Sequence, residues 1–264
     1  MSPSLEITTF IANNSGPPCP NNCSFCPQST LRDALTRDAS SLKVEDFLRL
    51  LSGRVIPKDV EIHFSGFTEP FFNRLTPHMI LAAKGLDYKV HLYTTLMGLT
   101  QEGAKMLPKT IDFVMIHFPD VRAFVVNDAL FIRQHQLWLS TGIPSRAMAM
   151  GTLTAGMAEY VRGLGWSNGV ELPAMNTRAG NVSPMDELKT PRVFCSEDRW
   201  HNNVMLPNGD VYLCCMDYGL EYKLGNLFNQ PYQEIWDAAE KLKESLISPS
   251  LCLRCDKAMP APSD

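Results

Sequence analysis

Over the first two-thirds of the chain the apolar positions switch repeatedly between two periods. Leu5–Ile11 is rich in strand-forming residues, and a long loop follows. Val44, Phe47, Leu48 and Leu51 fall at i, i+3, i+4 and i+7, which predicts an amphipathic helix ended by Gly53. Val60–Phe64 reads as a strand, Pro77–Ala83 as a helix, Val90–Thr94 as a strand and Thr100–Met106 as a short helix. Ile111–Phe118 is a nearly continuous apolar run, as expected of a parallel strand covered on both faces. Val121–Leu139 is helical, Ile143–Met150 a strand, Gly156–Leu164 a helix and Val170–Ala174 a strand. Repeated βα units make an α/β fold with a parallel sheet, open or curled. Roughly six units fall short of the eight of a closed barrel.

After Ser183 the pattern changes. Val204–Leu206 and Val211–Leu213 flank Pro207-Asn208-Gly209-Asp210, an Asn-Gly hairpin signal. Pro231 then opens a helix with Tyr232, Ile235, Trp236, Ala239, Leu242 and Leu246 on one face. The expected organisation is an α/β domain over 1–182, a small C-terminal domain of β-hairpin plus helix over 183–258, and a loose tail over 259–264.

Composition narrows the function. With 24 Lys+Arg against 28 Asp+Glu the net charge is −4, so there is no basic excess to drive nucleic-acid binding. Apolar residues at 45% and charged ones at 20% are ordinary globular usage. No run approaches the ~18 apolar residues of a membrane helix. The first residues lack a positive segment followed by an apolar one, so the expected location is cytoplasmic. In a reducing compartment the eight cysteines are metal ligands or catalytic groups before they are disulfides.

Cys19, Cys23 and Cys26 form a C-x3-C-x2-C run in a Gly/Pro/Asn-rich loop after the first strand. Carboxyl ends of strands are where α/β folds place their chemistry. Three thiolates on such a loop can hold three irons of a [4Fe–4S] cluster and leave the fourth open. A zinc site completed by His63 or a distant cysteine is the other reading. The pattern C-x3-C-x-aromatic-C, with Phe25 as the aromatic residue, resembles the radical S-adenosylmethionine (SAM) superfamily. Gly66-Phe67-Thr68-Glu69-Pro70, after the second strand, is similar to that family's Gly-Gly-Glu-Pro segment, with Phe67 and Thr68 replacing a plain Gly-Gly. Tyr93-Thr94-Thr95 closes the third strand, where relatives often carry Thr-Asn. Arg178-Ala179-Gly180-Asn181 is similar to an Arg-Ala-Gly segment of one subgroup.

Cys195, Cys214, Cys252 and Cys255 can close a zinc site or ligate a second [4Fe–4S] cluster, and spacing does not decide between them. Gly209-x4-Cys214, Gly225-Asn226-Leu227 and Glu234-Ile235-Trp236 resemble the SPASM auxiliary-cluster domain and its shortened form, twitch. Too few cysteines remain for two auxiliary clusters, so the resemblance implies one. Cys215 could replace Cys214 as ligand, although Gly-x4-Cys favours Cys214.

The resemblance implies a partial (β/α)6 barrel and two [4Fe–4S] clusters. It implies that SAM is bound at the open iron and cleaved by one electron to a 5′-deoxyadenosyl radical. Phe25, Gly66, Phe67, Thr68, Glu69, Thr95, His117 and Arg146 are the expected SAM contacts, Arg146 alternatively forming a buried ion pair. Tyr93 and Arg178 are the expected substrate groups. The leading expectation is a dehydrogenase that turns an alcohol of an aminocyclitol or sugar-like metabolite into a ketone, the auxiliary cluster taking the second electron. Its electron donor would be flavodoxin or ferredoxin. Modification of a ribosomally made peptide is the alternative, and a non-catalytic zinc or electron-transfer protein the third.

Overall fold

The computed structural model describes residues 2–12, 16–35, 40–118, 127–149, 152–165, 177–183 and 185–261. The strands are β1 (Ser4–Ile7), β2 (Phe10–Ile11), β3 (Ser40–Ser41), β4 (Glu61–Phe64), β5 (Val90–Thr94), β6 (Phe113–Phe118), β7 (Arg146–Ala149), β8 (Val193–Cys195), β9 (Asn202–Met205), β10 (Asp210–Tyr212), β11 (Lys223–Asn226) and β12 (Ala258–Pro260). The helices are α1 (Gln28–Ala34), α2 (Val44–Ser52), α3 (Thr76–Gly85), α4 (Gln101–Met106), α5 (Asp128–Thr141), α6 (Ala155–Gly163), α7 (Tyr232–Lys243) and α8 (Ser250–Leu253).

One eight-stranded sheet runs β11-β10-β9-β1-β4-β5-β6-β7. From β9 to β7 every pairing is parallel, and β9-β10-β11 is antiparallel. The α/β expectation holds. β5 matches its predicted range, and β4, β6 and β7 fall inside theirs. The expected strand Val170–Ala174, Met150 and the start of the Val121–Leu139 helix lie outside the described residues.

Alternation along the strands divides the two faces. Leu5, Ile7, Ile62, Phe64, Val90, Leu92, Val114 and Ile116 are buried and form the core with the helices. The opposite face carries Glu6, His63, His91 and Phe113 in one register row, and Tyr93 beside Met115 in the next. A strand that reads Leu5-Glu6-Ile7 therefore puts its carboxylate on the side away from the helices.

The expected C-terminal hairpin is present and extends the main sheet: β9 pairs antiparallel with β10 and in parallel with β1, Ser4 to Asn202 through Ile7 to Met205. The expected loose tail is in part a strand, since β12 pairs with β8 from Ala258–Cys195 to Pro260–Val193 and Ala261 N–H reaches Arg192. α7 ends at Lys243, so Leu246 lies beyond it and is 80% exposed. No helix among the described residues is long and apolar enough to cross a membrane.

Candidate cluster and cofactor sites

The carboxyl ends of β4, β5 and β6 open into a cleft. Cys19, Cys23 and Cys26 line one side of it. Phe25, Ser65–Pro70, Tyr93–Thr95, His117, Arg178 and Tyr218 line the rest.

The cysteine loop is held by side chains that also address its sulfurs. Gln28 accepts from Cys19 N–H (2.8 Å) and donates from Nε2 towards Cys26 Sγ (3.1 Å) and the Phe67 carbonyl (2.9 Å). Glu69 N–H points at Cys19 Sγ (3.4 Å), and the Tyr218 hydroxyl lies 3.2 Å from Cys26 Sγ. Burial pushes the Cys19 thiol up to about 12, and Cys26 adds to the rise. A bare thiolate is thus disfavoured there, whereas a coordinated cation would favour it. Three sulfurs facing a cleft, two of them with polar hydrogen-bonding groups aimed at them, are a donor set that fits an iron–sulfur cluster.

The Ser65–Pro70 segment turns sharply against β1. Gly66 has φ +78°, and a Cβ there would stand 2.3 Å from Thr8 Oγ1, so the close approach requires glycine. Gly66 N–H and Ser65 Oγ donate to Glu6, and Phe67 N–H donates to Thr8 Oγ1. Glu69 is 5% exposed. Its Oε1 accepts from Thr94 Oγ1 (2.6 Å) and Phe71 N–H (3.2 Å), and its Oε2 from Thr95 N–H (2.6 Å) and Thr95 Oγ1 (2.7 Å). Those four donors occupy its roughly four lone-pair sites. The carboxylate therefore braces Thr94 and Thr95, and Asn21 Nδ2 donates onto Thr95 Oγ1 (2.8 Å). Burial raises the Glu69 pKa above the usual carboxylate range, while its donors favour the anion.

Tyr93 packs among His63, Phe113 and His117, with ring centroids 5.6–6.3 Å apart. Burial holds His117 down to about 4, with Arg178 opposing its protonation further, so it is neutral at pH 7. Arg178 and Ala179 have φ of 52° and 53°, ahead of Gly180 at 76°. Left-handed non-glycine residues carry strain that persists where surrounding structure fixes it. The fixing contacts are Thr177 N–H and Oγ1 to Asp256 Oδ2, at 2.7 and 2.8 Å. Burial opposes the Arg178 charge, but Tyr218, Cys215, Cys26 and Glu6 hold it charged.

Arg146 differs from expectation. It opens β7, is exposed rather than in a buried ion pair, and sits 5.7 Å over the Phe113 ring. It is not among the residues lining the cleft.

Cys195, Cys214, Cys252 and Cys255 line a second pocket, walled by Val193, Phe194, Trp200, Met216 and Leu251. Burial raises Cys252 to about 12 and Cys214 well above the usual thiol value, neighbouring cysteines adding to both. Four thiols lining one apolar pocket fit a fully ligated cluster. Cys215 points elsewhere: Arg199 Nη1 lies 3.1 Å from its sulfur, and Glu6 hydrogen-bonds to it.

Glu6, Gln28, Asn21 and Tyr218 are site residues that pattern reading missed. A carboxylate inside an apolar strand was the available signal for Glu6. Gln28 and Asn21 carry none, because their partners are distant in sequence.

Residues 195–256 match the model of SPASM, an iron–sulfur cluster-binding domain. No curated protein matches the chain. Among solved structures it is similar to BtrN in complex with AdoMet and 2-DOIA, with TM-score 0.64 and 15% identity over 97% of this chain and 93% of that one. SuiB of Streptococcus suis, bound to the precursor peptide SuiA, gives TM-score 0.63 and 13% identity over 97% and 70%. Histidine-tagged anSMEcpe with bound AdoMet gives 0.56 and 11% over 96% and 83%. These are radical SAM enzymes. In fold the chain is similar to these structures along nearly its whole length, and its residues 195–256 match the iron–sulfur cluster-binding domain SPASM.

Proposed function

We propose that this protein is a radical SAM oxidoreductase. It reductively cleaves S-adenosylmethionine, removes a hydrogen atom from a small hydroxylated substrate of aminocyclitol or sugar type, and yields a ketone. When bound, the clusters supply the electron that cleaves the sulfonium C–S bond and accept the one released by the substrate. Cys19, Cys23 and Cys26 hold the first cluster, and Cys195, Cys214, Cys252 and Cys255 the second. Flavodoxin or ferredoxin provides the low-potential electrons.

The chain's own groups set the geometry. Carbonyls of the Ser65–Thr68 turn accept from the SAM ammonium. Glu69 fixes Thr94 and Thr95 in the cleft wall, where the remaining Thr95 Oγ1 lone pair accepts from a SAM ribose hydroxyl, and Phe25 packs alongside. His117, being neutral, offers a ring nitrogen to the ribose. Tyr93 and Glu6 on the polar sheet face, with Arg178 on its strained turn, supply donors and acceptors for several hydroxyls of one substrate. The observation that carries the dehydrogenase reading is this face: acceptor, donor and guanidinium converge beside the three-cysteine cleft. Peptide modification, the alternative, has its support in the fold shared with SuiB, which was crystallised on its precursor peptide.

The test is Cys252→Ala. Iron should fall from about eight to about four per chain, since each cluster carries four. 5′-Deoxyadenosine should still form, while oxidised product drops at least ten-fold. Undiminished product would remove the second cluster from the reaction.

A further inference from the structure

The structure assigns a third metal site, separate from both cysteine sites, to Glu61, His63 and His91: a mononuclear site for a divalent ion of the zinc class, on the polar face of the sheet. One carboxylate oxygen and one ring nitrogen from each histidine all lie within 4.8 Å of one another. His63 Nε2 and His91 Nε2 stand 3.4 and 3.7 Å from the same atom, Glu61 Oε2. Those separations exceed the ~2.9 Å of an ordinary N–H···O bond. They approach the edge of about 3.3 Å expected between tetrahedral ligands held at roughly 2.0–2.1 Å from zinc. Two imidazoles and a carboxylate form a recurrent protein donor set for such an ion, which then keeps an open position.

The donors are placed by the fold and not by chance proximity of flexible side chains. His63 and His91 are register partners on β4 and β5, so their Cβ atoms leave the same face side by side. Their rings stack at 4.5 Å with 15° between planes. Phe113 closes on His91 from one side (5.3 Å) and Tyr93 on His63 from the other (5.7 Å). Lys89 Nζ takes Glu61 Oε1 at 2.5 Å, which leaves Oε2 turned to the histidines. Each donor side chain keeps 14–16% of its surface exposed, so an ion can enter. Glu61, His63 and His91 precede the cleft-lining residues along their strands, since the cysteine cleft is lined from Ser65 after β4 and from Tyr93 on β5. The open position would take a water or a hydroxyl or amine of a small molecule.

The experiment uses the iron-loaded protein, titrated anaerobically with Zn2+ alone, dialysed, and analysed for metal content and by zinc K-edge X-ray absorption. One zinc per chain should remain, with nitrogen and oxygen neighbours near 2.0–2.1 Å and imidazole outer-shell scattering, and no sulfur near 2.3 Å. His91→Phe, which keeps a stacked ring, and Glu61→Gln should each weaken zinc retention at least ten-fold with unchanged iron content. Loss of zinc on dialysis, a sulfur-only zinc shell, or variants that bind like the parent would each overturn the assignment. The absorption spectrum of the unaltered protein decides even if a variant fails to fold.

Discussion

Glu69 shows how one residue can organise a site without being open to it. Its four donors join β5, the turn after β4 and, through Thr95 and Asn21, the cysteine loop. Glu69→Gln sets an amide N–H2 against two of those donors and removes the charge that strengthens the rest. Bonds to charged groups are worth about 1.5–3 kcal/mol each, so the variant should lose about 2–4 kcal/mol. Urea unfolding measures this, and a midpoint equal to the parent's would refute the bracing role. At this scale the sequence is a good guide to chemistry and a poor one to partners. The seven ligand-type cysteines are marked by spacing and context. Spacing favours Cys214 over Cys215, and the structure adds a reason in Arg199 and Glu6, which pack against Cys215.

Among elements, legibility follows periodicity. β5 is readable because Val90, Leu92 and Thr94 alternate with His91 and Tyr93, and burial alternates with them. α1 escapes pattern reading because only Gln28 and Leu31 of its seven residues are buried, too few to make a period. β8 and β12 are three residues each and exist through pairing with each other, a long-range fact with no local signature. α5 and α6 meet through His135, whose Nδ1 lies 2.9 Å from the Tyr160 hydroxyl beneath the rings of Phe118 and Phe131. Burial lowers its pKa from 6.5 to about 4. Between those values the unfolded chain binds the extra proton, so stability falls as pH falls, by about 1.4 kcal/mol per unit. His135→Phe should therefore unfold with a flatter pH dependence than the parent between about pH 6.5 and 4.5. Parallel curves from denaturant titrations would show that His135 does not contribute this linkage.

Across the molecule, one sheet joins the two chemical regions. β9 pairs with β1 on one side and leads through the hairpin to Cys214, while the carboxyl ends of β4, β5 and β6 on the other side of β1 line the cleft. Thr177–Asp256 links the Arg178 turn to the residue after Cys255. The predicted boundary at 182/183 marks a change of sequence pattern, but the sheet crosses it, because a hairpin with a free edge gains backbone hydrogen bonds by adding to β1. The central claim is that Cys19, Cys23 and Cys26 hold the cluster at which SAM is cleaved. It is tested most directly by measuring 5′-deoxyadenosine from the anaerobically iron-loaded protein with SAM and dithionite. The account predicts its formation by the parent and its loss, to below one hundredth, when the three cysteines are replaced by Ala with the second cluster retained. Persistent 5′-deoxyadenosine in that variant, or none from the parent carrying about eight irons, would contradict it.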